Sequence, residues 1–195
     1  MKKVTVRSIA TLIAAASICL GVFTSFPAGT SPVMFSMQNF LVITSSCLLG
    51  SINGAGATGI FLMLGFLGIP VFSGFSSGIQ YIQGINGGFL IGYFIVSIAA
   101  GLIMGSPVKA ERHVKGRLYI KTALTSLFSY LIIYVPAILW FMKVQRESGT
   151  NYSFTESFNL VCAPFIALDI AKAALTVLIC VPLRPVLSDI LYDPE

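Results

Sequence analysis

The chain has 195 residues, of which 56% are hydrophobic and only 10% charged, and its mean hydropathy is +0.90. Soluble globular domains carry charge on about a quarter of their residues, so this composition excludes an ordinary water-soluble domain and points to the bilayer. The net charge of +5 is not a nucleic-acid signal, because the basic residues gather in Lys2, Lys3, Arg7 and the stretch "KAERHVKGR" from Lys109 to Arg117. That is the distribution of segments held on the cytoplasmic side of a membrane.

From Ser8 to Val108 no Asp, Glu, Lys, Arg or His occurs, a length that accommodates four spans of about 20 residues with short turns. The first apolar run, 8–26, follows a basic start, as a signal peptide does. Yet "SFPA" has Phe26 three residues before a cleavage after Ala28, where a small residue is needed, so an uncleaved first helix is expected. Runs 36–52 and 55–70 come next, joined by "GSINGAGATG" (Gly50 to Gly59), a turn marked by glycines and Asn53 rather than charge. A pair of shorter, tilted or partly re-entrant helices is the alternative there. Runs 84–105, 120–142 and 158–183 complete six spans. The expected fold is an all-α integral membrane protein, one transmembrane domain over 1–195. Both termini are cytoplasmic, and the segments 27–35, 71–83 and 143–157 lie outside. Along the fifth span Tyr130, Tyr134, Trp140 and Phe141 climb toward the outer surface, with Trp140 placed as an interfacial anchor.

Several chemistries are missing. Cys19, Cys47, Cys162 and Cys180 lie in apolar runs without CxxC or Cys/His spacing, so they are expected as reduced packing residues and no metal site is expected. His113 stands alone in the basic stretch and cannot complete a metal shell. No GxxxxGK[ST] phosphate loop is present, no cofactor is called for, and no acid pair or Ser/His/Asp set supports hydrolysis. The expectation is a multi-pass protein of the cell membrane that is not an enzyme.

The segment "ALDIAKAAL" (Ala167 to Leu175) places Asp169 and Lys172 as the only charges between Phe158 and Leu183. Three-residue spacing sets both on one helical face. Each costs about 2.5 to 3.5 kcal/mol at the centre of a membrane helix, so both should face protein or a water-filled cavity. An internal ion pair that only neutralises itself is the simpler reading, but such pairs stabilise poorly. As a binding site, Lys172 offers a cation to a carboxylate or phosphate, and Asp169 accepts from N–H donors. A small molecule with an acid at one end and N–H groups at the other uses both. The stretch from Ile69 to Tyr93 adds amides and a small face at Gly84, Gly88 and Gly92, which by itself means helix packing. Together with the preceding flexible loop it suits a gated pocket, in which Asn86 can both donate and accept. On the first helix, Ala10, Ala14 and Ala15 form a small-residue stripe, a docking face for another membrane protein.

With these stretches in view, the chain resembles the BioY family, the biotin-binding S components of energy-coupling factor (ECF) transporters. The resemblance runs through "PVMFSMQNFLVITSSCLLG" (Pro32 to Gly50), "GFLGIPVFSGFSSG" (Gly65 to Gly78), "GINGGFLIGY" (Gly84 to Tyr93), "LIIYVPAILWF" (Leu131 to Phe141) and "APFIALDIAKAAL" (Ala163 to Leu175). It implies six transmembrane helices, an outer-side biotin pocket, and handover to a transmembrane T component and ATPase subunits. It places Asp169 and Lys172 in that pocket, with the ureido N–H groups on Asp169 and the valerate carboxylate on Lys172, or the two ends exchanged. Asn86, with Gly87 and Gly88 in the same glycine-rich motif, is implied as a ligand contact. Ala10 and Ala14 match the surface that docks the T component. The chain departs from the family in lacking a basic residue after "LLG", where it has "SINGAGA", and in having Leu168 before Asp169. Lys172 then binds the anion alone or with neutral donors such as Tyr93 or Tyr134. Another small carboxylated vitamin or precursor as the ligand, and a non-transport scaffold, remain the alternatives.

Overall fold

The computed structural model describes residues 2–29, 31–107 and 115–192; His113 and most of the basic stretch around it lie outside them. Seven helices follow in order: α1 (Lys2–Leu20), α2 (Gln38–Phe66), α3 (Gly78–Gln83), α4 (Gly87–Met104), α5 (Lys115–Glu147), α6 (Phe154–Val161) and α7 (Ile166–Tyr192). A 3-10 turn, Gly21–Thr24, closes α1, and a short antiparallel hairpin pairs β1 (Phe26–Pro27) with β2 (Met34–Phe35).

The protein is inside-out relative to a soluble one. Leucines and other large apolar side chains line the outside of α5, including Leu124, Leu131 and Leu139, while Thr122, Thr125, Ser126 and Ser129 face inward and are buried. In lipid, apolar side chains need no shelter, and small hydroxylated residues let helices approach closely. Three of those inner hydroxyls satisfy themselves on their own helix: Thr125 on Lys121 O at 2.7 Å, Ser126 on Ala123 O at 3.0 Å, and Ser129 on Thr125 O at 2.7 Å.

Among the described residues, five helical runs are long and apolar enough to cross a membrane, and the second of them is two helices. A straight helix of 29 residues is about 43 Å long, yet Gln38 at its start donates to Val71 O, just beyond its end, at 2.6 Å. The chain folds back at Gly50 (φ 80°, ψ −179°), a backbone conformation open to glycine and strained for other residues. The halves 38–49 and 51–66 then lie side by side, so close that a Cβ on Gly54 would sit 2.5 Å from Ser46 Cα. The second and third spans are therefore two separate helices, but of the turn expected from Gly50 to Gly59 only Gly50 bends the chain, and the residues after it are helical.

The last apolar run also differs from a single 158–183 helix. Pro164 sits in a 3-10 turn, Ala163–Phe165, that separates α6 from α7, because proline lacks the N–H that would continue the ladder. The capping box of Ser153 and Glu156 starts α6 earlier, at Phe154. α5 (Lys115–Glu147) likewise extends beyond 120–142, by about a turn and a half at each end.

The two ends of the bundle are distinct. Arg7 Nε donates to Leu191 O at 2.9 Å, joining the start of α1 to the end of α7. At that end the buried Arg184 of α7 donates to Cys47 O, to Met104 O at 3.3 Å and to Gly105 O at 3.1 Å, and Lys121 donates to Met104 O at 3.1 Å. A cation at the carbonyl-rich end of a helix is favoured by the helix dipole, so these side chains cap α4 and the first half of α2. The opposite end holds the hairpin, α3 and the polar cluster described next.

Candidate functional site

Because α7 begins at Ile166, Asp169 and Lys172 fall in its first two turns, on the face turned to α2. Both are buried, at 3% and 4% exposure, and Lys172 Nζ donates to Asp169 Oδ1 at 3.2 Å. The ammonium also donates to Asn39 Oδ1 at 2.9 Å and to Ser36 O at 3.0 Å, and it lies 4.1 Å from the centre of the Phe35 ring. All three ammonium hydrogens therefore have an acceptor. Asn39 completes the arrangement by donating from Nδ2 to Asp169 Oδ1 at 3.3 Å. The Phe40 backbone N–H donates to Asn39 Oδ1 at 2.8 Å, which fixes which amide atom is the oxygen. From α5, the Tyr134 hydroxyl donates to Asp169 Oδ2.

Three of about four acceptor positions on the carboxylate are thereby filled, and the fourth, on Oδ2, is left. This cluster borders a cavity of about 30 Å³ that Asn86, Phe89, Leu90, Tyr93, Met34 and Phe165 also line. That is room for one or two water molecules, so a larger guest enters only if side chains that line the cavity move. The hairpin and the 3-10 turn before it pack on the loop between α2 and α3: the sulfur of Met34 would lie 2.7 Å from a Cβ on Gly74, and the rings of Phe23 and Phe75 meet edge to face at 5.4 Å.

A second polar group forms the wall toward α3. Gln38, buried at 1% exposure, donates to Val71 O and accepts from Ser73 Oγ at 3.0 Å, so it locks the loop after α2 to the start of that helix. Tyr81 stacks on Phe72 at 5.1 Å. Burial pushes its phenol up to about 12, against the lowering effect of a hydrogen bond with Ser73, so Tyr81 stays a neutral hydrogen-bonding group at neutral pH.

Of the residues singled out in the sequence, Asp169, Lys172, Asn86, Tyr93 and Tyr134 line one cavity. Gly87 and Gly88 do not: a Cβ on Gly87 would lie 1.8 Å from Ile82 O, and one on Gly88 2.4 Å from Pro136 O. They are places where α4 meets the α3 turn and α5, and the side chains that reach the cavity are their neighbours Asn86, Phe89 and Leu90. Trp140 has a positional partner, its indole N–H donating to Gly84 O at 2.9 Å. Ala10 and Ala14 lie far from the cavity, in a groove of about 310 Å³ between α1, α2 and α7 that Leu41, Leu48 and Leu187 help to form.

The sequence reading missed Ser36, Gln38 and Asn39 as site residues. Their signal was present: two adjacent amides, Gln38 and Asn39, open an apolar run, where polar side chains are costly unless the fold supplies them with partners. Phe35 could not have been found this way, since only the fold lays its ring over Lys172.

The BioY family model matches residues 1–189. The protein named "Probable biotin transporter BioY" of Pyrococcus horikoshii is 37% identical over 148 residues, 76% of this chain and 78% of that protein. The biotin transporter BioY of Thermotoga maritima is 27% identical over 169 residues, 87% of this chain and 90% of that one. Among solved structures, the S-component for biotin from an ECF-type ABC transporter superposes with a TM-score of 0.75 at 25% identity, covering 94% of this chain and 92% of that one. A whole-length family match, carried on a bundle of apolar helices with a charged pair buried at one end, leads to one conclusion: this multi-pass membrane protein belongs to the BioY family.

Proposed function

We propose that the protein is the biotin-capturing S component of an ECF-type transporter in the cell membrane, that it has no catalytic activity of its own, and that the cavity beside Asp169 and Lys172 is its biotin site. The observation that carries this reading is the buried charged pair opening on a cavity with amide and phenol groups around it. A membrane core retains such groups where a ligand uses them. The names of the relatives and of the superposing structure support biotin as that ligand. The chain lacks a phosphate loop, so the energy for uptake comes from ATPase subunits through a T component docked over Ala10 and Ala14. Both termini are then cytoplasmic and the cavity faces outward.

The bonding pattern supports one orientation. The remaining acceptor position on Asp169 Oδ2 suits a ureido N–H, whereas Lys172 must release Ser36 O or Asn39 Oδ1 before it can take a carboxylate. Gly87 and Gly88 serve the site indirectly, by bringing α4 close enough to α5 for Asn86 and Tyr134 to face the same space. Isothermal titration of purified protein with biotin tests the reading: tight binding is expected, lost in Lys172→Ala. No heat of binding from monodisperse protein would sink it.

One observation favours a purely structural pair: every hydrogen of the Lys172 ammonium is already satisfied. In that case no small carboxylated vitamin raises the melting temperature, whereas a bound ligand must do so. A panel of such vitamins and biotin precursors separates this from a different S-component specificity.

A further inference from the structure

The last turns of α5 and the segment after them enclose a groove of about 660 Å³ that shares no residue with the biotin cavity. Its α5 wall is a single helical stripe at 139, 142, 143, 146 and 147. Along it the chemistry changes in one direction, from Leu139 and Met142 through Lys143 to Arg146 and Glu147. Leu139 is 59% exposed, on the face that in this bundle meets lipid.

The opposite wall is held in place. The Gly149 N–H donates to Arg146 O at 3.1 Å and the Thr150 N–H to Gln145 O at 2.9 Å, turning the chain back. Tyr152 then packs its ring against Phe141 at 5.6 Å, bringing Asn151 and the Tyr152 phenol over the groove. The charges are unevenly engaged. Lys143 lies 3.9 Å from Glu147 and 4.9 Å from the Trp140 ring, while Arg146 has no hydrogen bond or ion pair among the described residues outside its backbone.

We propose that this groove holds one anionic phospholipid of the adjacent leaflet, its phosphodiester on Arg146 with Lys143 beside it and its first acyl carbons on Leu139 and Met142. The charge balance fits: Glu147 offsets one of the two cations, leaving a net single positive charge for a single phosphodiester. Arginine presents a planar fork that matches two phosphate oxygens. Trp140, hydrogen-bonded to Gly84 O, marks the interfacial level at which headgroups lie. The apolar-to-basic direction along the stripe is that of a lipid entering a headgroup layer. The proposal requires only the membrane placement of α5 and is independent of the ligand in the other cavity.

The test uses full-length protein, purified and delipidated in mild detergent, with phosphatidylglycerol, phosphatidylcholine and sn-glycerol phosphate as probes. Native mass spectrometry is expected to retain one phosphatidylglycerol, with a rise in melting temperature larger than phosphatidylcholine gives. The K143Q/R146Q variant, which removes both cations, is expected to weaken that retention at least about tenfold, or about 1.4 kcal/mol, with biotin binding unchanged. L139N is expected to weaken it too, through the acyl contact. Equal retention of both lipids, or full retention by K143Q/R146Q, overturns the proposal. So does an equal stabilisation by sn-glycerol phosphate, which would make the groove an anion site and not a lipid site.

Discussion

Two buried cations sit on one face of α7, Lys172 near its start and Arg184 three turns further on, and their partners differ in kind. Arg184 is held by backbone carbonyls of Cys47, Met104 and Gly105, groups that move only if a helix end moves. Lys172 is held by two side chains, Asp169 and Asn39, and one carbonyl, that of Ser36, beside a hairpin of only two residues per strand. Between them the same face carries Thr176, bonded to Thr44 at 3.0 Å, and Cys180, 3.8 Å from Thr44 O. A buried charge tied to helix ends fixes the bundle; one tied to side chains at a cavity can exchange partners. Burial alone does not distinguish the two, and the identity of the acceptor atoms does.

Substitutions can break or sharpen this contrast. The largest effect is expected from Arg184→Leu, which strands several carbonyls in the core and removes the staple between α2, α4 and α7. A loss of about 1 to 3 kcal/mol for each of the Cys47 and Gly105 carbonyls left without its donor, added to the lost packing of a large buried side chain, should abolish recovery of monodisperse protein by size-exclusion chromatography. If that variant purifies and melts normally, the inner cluster is not a structural staple.

Lys172→Ala should instead yield folded protein whose biotin affinity falls by at least about a hundredfold, some 2.7 kcal/mol or more, read by titration calorimetry. It should also melt lower, because Asp169 is left buried without its cation. The double variant Asp169→Asn with Lys172→Met is expected to recover the melting temperature and not the binding. Recovery of both would erase the functional side of the comparison.

Next in size, Gly54→Val should destabilise by about 1 to 3 kcal/mol, the range for overpacking a tight core, because its side chain meets Ser46 backbone; a thermal melt checks it. Tyr134→Phe removes a neutral donor to a carboxylate and should weaken biotin binding about tenfold, near the low end for hydrogen bonds to charged groups, with the melt little changed. The smallest effect is expected at the midpoint of the face. Thr176→Val should cost about 1 kcal/mol or less, as polar contacts inside membrane bundles usually do, and leave binding intact.

Much of the candidate site's lining was legible because lipid makes ionisable residues conspicuous. Asp169 and Lys172 stand out in an apolar run, and Asn86, Tyr93 and Tyr134 lie in stretches whose polar groups needed a destination. Gly87 and Gly88 were harder to place, since a glycine gives no signal of whether its missing side chain makes room for a ligand or for a neighbouring helix. Here α5 and the α3 turn fill the space, and the cavity faces the residues on either side. Asn39 shows the converse: an amide in an apolar run has a local cause only when its partner, 130 residues away in sequence, is brought alongside.

The sequence by itself determined that this is a membrane bundle with a charged pair inside its last apolar run, because the cost of placing polar groups in lipid leaves few alternatives for an uncharged stretch from Ser8 to Val108. It also marked the glycine turn between the second and third spans. Only the tertiary structure decided that the turn bends at Gly50, that Pro164 starts α7 close to Asp169, and that Asn39, Ser36 and Phe35 complete the environment of Lys172. Those choices depend on contacts between residues far apart in the chain, and helix packing, not local hydropathy, sets which side chains meet.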